Sequence, residues 1–138
     1  MKELPKLPTL EEIMDLAKLT PTDLHQSMID HVACSGWYSF LLAKARVRTM
    51  KAKFSLEVLA ANLDSEIRKV AEKAGKKITE TVVHNTVVSL EEYQRAWEEY
   101  VLAVEEEKVL SAVVKMLDDK KDMMMSYAMS LRRESVEV

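Results

Sequence analysis

Proline and glycine are almost missing from this chain, and that scarcity constrains its fold more than any other feature. Proline occurs only at positions 5, 8 and 21, glycine only at 36 and 75, and residues 76–138 contain neither. Sheet folds need frequent tight turns, and tight turns draw on glycine and proline for their backbone angles. A chain with so few breakers reads instead as a few long helices. The two glycines are too far apart to form a phosphate-cradling loop. A single cysteine excludes an intrachain disulfide framework and any multi-cysteine zinc module. The longest uncharged run, residues 32–43, is too short to span a bilayer. With 138 residues, 48% hydrophobic and 31% charged, the chain is expected to form one folded helical domain, residues 1–138.

Periodicity divides that domain. Residues 1–20 read as an extended arm containing Pro5 and Pro8, then a short helix that Thr9 and Glu12 open as a capping box. Thr20 as N-cap, Pro21 at the first helical position and Asp23 in the first turn start the next helix. Apolar or small residues then recur at steps of three and four from Leu24 to Ala74. This predicts a long helix over 21–75, with Gly36 as the place for a kink and Gly75 as the C-terminal cap. Residues 76–88 form a connection, either one or two helical turns capped by Thr79 or a short strand built on the Val-Val pairs. Ser89 and Glu92 read as a second capping box that opens a long helix over 89–133, with a frayed tail at 134–138. The expected fold is all-α: a short N-terminal helix and a long antiparallel helical hairpin folded about residues 75–89. The apolar stripes are wider than one seam needs, which points to a homo-oligomer.

The net charge of −3 conceals a sorted distribution. Residues 31–56 hold no acid and five bases: Lys44, Arg46, Arg48, Lys51 and Lys53. Residues 57–107 hold twelve acids and six bases, while 108–133 hold six bases and three acids. Folding about 75–89 would bring position 50 near 114, so segment 44–53 would meet 111–120 and stay unneutralised. A basic band and an acidic band would result, and a basic band concentrates polyanions. Trp37, Tyr38 and Phe40 precede the basic segment and Phe54 follows it. Cations that follow phosphates, with rings that stack on bases, suit a sequence-tolerant single-strand binder. Aromatics at helical spacing are more often core, and a charge run is usually a solvated face.

The stretch YSFLLAKARVRTMKAKFSLEVLAANLDSEIRKVAEKAGKKITETVV, followed by SLEEYQRAWEEYVLAVEEEKVLSAVVKMLDDKKDMMMSYAMSLRRE, resembles phage recombination mediator proteins of the UvsY type. The likeness covers residues 38–134 and is one of residue types: a Lys/Arg-bearing helix, a polar connection and a second long helix. It implies a mediator that loads a RecA-like recombinase onto single-stranded DNA covered by a single-strand-binding protein. It also implies a ring-like oligomer, no cofactor and no enzymatic step. The family's DNA-contacting segment matches Lys44-Ala45-Arg46, with Arg48, Lys51 and Lys53 following. Arg68, Lys69 and Lys115 are alternative contacts. The acidic stretch 91–107 is a candidate docking surface for a protein partner, with a solvated helix face as the plain alternative.

Other chemistry is sparse. His31 and Cys34 share a helix face beside Asp30, which is too few ligands for a closed zinc site, so Cys34 reads as a buried thiol. His25 and His84 stand apart. Glu91-Glu92 and Glu98-Glu99 are adjacent pairs whose side chains diverge on a helix, so neither is an acid/base pair. Met123, Met124 and Met125 read as packing or oligomer contacts. The competing functional reading is an oligomeric helical scaffold or assembly adaptor, phage or cellular, whose basic segment pairs with acids on a neighbouring copy. With no membrane segment or leader in view, the expected setting is intracellular, the host cytoplasm if the chain is phage-encoded.

Overall fold

A computed structural model describes residues 6–18 and 24–136. They form four helices and, among the described residues, no strand: α1 (Leu10–Ala17), α2 (Leu24–Lys73), α3 (Glu80–Ser89) and α4 (Glu91–Val136). The roles read for Pro5, Thr20, Pro21 and Asp23 fall outside the described residues. The Thr9 capping box forms as expected. The Thr9 hydroxyl accepts from the Glu12 amide at 3.2 Å, and the Glu12 carboxylate accepts from the Thr9 amide at 3.0 Å. α2 runs through Gly36 without a break.

Gly75 ends α2 in the way its position predicts. Its φ is +66°, the left-handed region that glycine enters without penalty. The Lys76 amide donates to the Ala71 carbonyl and the Gly75 amide to Glu72, both at 3.0 Å. That pair of bonds is a Schellman motif, and it satisfies carbonyls the helix end would otherwise leave open. The connection takes its helical alternative. Thr79 caps α3 by accepting from the Val82 amide at 3.3 Å. Ser89 does not open α4. It is the last residue of α3, and its hydroxyl donates to the Thr86 carbonyl at 2.7 Å. Serine bonding back to its own helix competes with capping the next one. Leu90 is the break, and α4 begins at Glu91.

The chain divides into two compact units, Met1–Ala45 with Glu106–Val138, and Arg46–Glu105. In the first, Leu41, Leu42 and Ala45 of α2 bury against Leu110 of α4, with Tyr38 and Val114 packed on them. Val113, Leu117 and Met124 are also buried, while Met123 and Met125 are exposed. Lys120 Nζ donates to the Leu16 carbonyl at 2.7 Å, where a cation suits the C-terminal turn of α1.

In the second unit, Leu63 of α2 buries against Val83 and Val87 of α3, with Leu59, Ile67 and Tyr93 packed around them. Arg68 spans from α2 to α3: Nε donates to Asp64 at 2.7 Å and Nη2 to Glu80 at 2.9 Å. Thr49 Oγ1 donates to the Ala103 carbonyl at 3.2 Å, so α2 and α4 touch there through their inner faces.

This contact corrects the register expected from the sequence. Position 50 does not face 114. Thr49 meets Ala103, and Leu59 shares a cluster with Tyr93, so both pairs centre on residue 76. The reason is that α3 belongs to the returning arm. The chain reverses at the Gly75 cap, and α3 already packs on α2 instead of forming the bend.

Candidate nucleic-acid interface

In the first unit, Trp37, Phe40 and Lys44 lie on α2 at spacings of three and four, which places them on one face. The Trp37 and Phe40 rings stack at 5.9 Å between centroids with 26° between planes, and each is 52% exposed. Lys44 Nζ lies 5.6 Å from the Phe40 centroid, a cation–π distance. Lys44 is exposed. Two open rings with an ammonium beside them can stack on bases and meet a phosphate. Tyr38 turns the other way, half-buried against the core, and burial pushes its phenol up. It is not part of the stacking face.

In the second unit, Arg46, Lys51 and Lys53 are exposed and Arg48 is half-buried. Between the cations run Val47, Met50, Phe54 and Val58, all exposed. Their steps of three, four and four keep them in line at about 100° per residue. Lys51 lies on one flank of the stripe, Arg46 and Lys53 on the other, and Thr49 and Leu56 point the opposite way into the packing. Only Phe54 of this stripe was legible as a surface candidate. The signal for the rest is a second apolar period offset by half a turn from the core period.

The corrected register changes the electrostatics. Lys115 is exposed in the first unit. Segment 46–53 instead shares its unit with Glu98, Glu99 and Glu105, all exposed on α4. Residues 46–105 carry ten bases and ten acids, so the unit is neutral overall and polar by face. Arg68 is engaged by Asp64 and Glu80, whose hydrogen bonds hold its guanidinium pKa above the ordinary value. It serves to hold α3, whereas Lys69 is exposed.

His31 is buried and its Nδ1 has no hydrogen-bond partner. Burial first, then the Lys120 charge, lowers its pKa. Cys34 is half-buried, and burial raises its thiol pKa, which suits packing better than nucleophilic attack. Both line a hollow of about 200 Å³ with Asp30 and Lys120. Among the described residues no three His, Cys, Asp or Glu side chains gather as a metal would need. A larger open groove, about 410 Å³, lies where α3 meets α4, lined by His84, Val88, Tyr93, Gln94, Trp97 and Glu98. Sequence reasoning missed it, because Trp97 and Tyr93 sit on the expected core stripe and the break at Leu90 is what opens them. Among the described residues no helix is long and apolar enough to cross a membrane.

No family model, no curated protein and no solved structure matches this chain.

Proposed function

We propose that this protein binds single-stranded DNA without sequence preference and acts as a recombination mediator. The observation that carries the reading is the exposed Trp37–Phe40 stack with Lys44 beside it, on a helix that bears no acid from residue 31 to 56. In the second unit, taken by itself, Lys51 and Lys53 are also exposed. The resemblance to UvsY-type mediators supplies the rest. The protein would help load a RecA-like recombinase onto DNA covered by single-strand-binding protein, with no cofactor and no catalytic step. A long helical hairpin assembled into a ring-like homo-oligomer would give several weak contacts per strand, so avidity replaces tight single sites. The setting would be intracellular, the host cytoplasm for a phage-encoded chain.

A second reading, an oligomeric scaffold without nucleic-acid binding, is favoured by the apolar stripe that runs between the cations. Anisotropy of a fluorescein-labelled oligo-dT separates the two. Trp37→Ala removes one stacking platform worth roughly 1–3 kcal/mol per base, so binding weakens about fivefold or more. Equal affinity of wild type and variant would remove stacking from the account, and no binding at low salt would leave the scaffold reading.

A further inference from the structure

The open groove where α3 meets α4 lies wholly within the second unit. Tyr93, half-buried against the Leu63 cluster, forms its floor. Val88 of α3, 39% exposed, and Trp97 of α4, 48% exposed, are its apolar walls. Tyr93 and Trp97 are four residues apart, so they share one side of α4. Two contacts fix these walls. Gln94 Nε2 donates to the Val88 carbonyl at 3.3 Å, which ties α4 to α3 across the break at Leu90. The Tyr100 ring lies 5.8 Å from that of Trp97 and steadies it. Glu98 stands on the rim beside Trp97, exposed and with no ion pair among the described residues.

The groove is apolar in its walls and anionic at its edge. Residues 80–105, which span α3 and the part of α4 in this unit, carry six acids and one base, Arg95. That base is already engaged, donating to Glu91 at 2.6 Å. Such a surface repels a polyanion and attracts a cation. We infer that the groove receives an arginine side chain from a basic segment of a partner protein. The arginine methylenes lie along Val88 and Tyr93. The planar guanidinium stacks on the exposed indole of Trp97 and donates two hydrogen bonds to Glu98. A lysine ammonium can neither stack flat nor fork to a carboxylate, and a neutral aromatic ring leaves Glu98 without a partner. The site uses none of the residues given to strand binding, so it is a second binding function of the chain.

Trp97 itself reports occupancy. With Trp37→Phe in the full chain, Trp97 is the one tryptophan left. Its emission is followed at pH 8, with no DNA present, as a capped alanine peptide carrying one central arginine is added to millimolar concentration. A saturable change is expected. The same peptide with citrulline keeps the shape and loses the charge. It is expected to bind about tenfold more weakly, and so is the arginine peptide to Glu98→Gln, because each change removes a charge-assisted pair. Glu99→Gln removes an exposed acid outside the groove and is expected to leave binding within about twofold. Helicity by circular dichroism is expected to be unchanged in every variant, since the replaced side chains are exposed. No change with the arginine peptide would overturn the inference. So would a citrulline peptide that binds equally well, or equal effects of Glu98→Gln and Glu99→Gln. Trp97 emission that moves with protein concentration alone would give the groove to a second copy and overturn it too. None of these outcomes touches strand binding, which oligo-dT reads separately.

Discussion

The chain's two glycines should respond to the same substitution with opposite signs. Gly36 lies within α2, and a Cβ added there meets nothing within 4 Å. Alanine at that position should stabilise by about 0.8–1.0 kcal/mol, the helix-interior difference between the two residues. Gly75 also has open space around an added Cβ, but its φ is +66°. Left-handed backbone costs a non-glycine residue roughly 1–2 kcal/mol. The lower entropy of the alanine unfolded state returns about 0.4–1 kcal/mol. The net expectation for Gly75→Ala is a loss of about 1 kcal/mol, which places the two variants about 2 kcal/mol apart. Urea unfolding followed by circular dichroism reads this directly. With a slope of about 2 kcal/mol per molar, each midpoint moves roughly half a molar, in opposite directions. A destabilising Gly36→Ala would mean that α2 is not regular there, and a neutral Gly75→Ala would mean that the Schellman cap is not formed.

Leu110→Ala should cost about 2–5 kcal/mol, because Leu110 is 2% exposed in the first unit's core, whereas Leu102→Ala on the same helix should stay within about 0.5 kcal/mol at concentrations where the protein is monomeric. The same denaturation assay compares them, and equal effects would contradict the assigned inner face of α4. Stability should also fall on acidification. Burial lowers the pKa of His31, so the unfolded chain takes up the proton first as pH drops below about 6.5. The contribution is fully present above that pH and is lost below it, and His31→Gln should flatten this part of the stability–pH curve. Lys44→Gln should lower the salt slope of oligo-dT binding by about 0.7, the loss of one phosphate contact.

The helical architecture was readable because it follows from local signals. Scarce breakers, the Thr9–Glu12 box and the Gly75 cap each act within a few residues and form as the sequence predicts, while the Thr79 cap is the helical one of two alternatives the sequence left open. Register was not readable, because it depends on what residues 76–90 do as a packed element. Ser89 with Glu92 makes a persuasive box, yet the serine bonds back into α3, and Val83 and Val87 find Leu63. One misplaced break moved the partner of position 50 from 114 to the neighbourhood of 103. Val32 and Val70 fit the apolar period of α2 but are exposed. The stacking face was half legible. Trp37 and Phe40 stand out as aromatics near lysine, but only the structure separates them from Tyr38, which faces the core.

The central claim is that the Trp37–Phe40–Lys44 face of α2 holds a single strand, and oligo-dT anisotropy across a salt series tests it most directly. Lys44 is exposed beside the stacked rings, and one phosphate contact predicts a slope of log affinity against log salt of about −0.7 per copy engaged. The account predicts binding at low salt with at least that slope, weakened in Lys44→Gln. Absence of binding at low salt, or a slope that Lys44→Gln leaves unchanged, would contradict it.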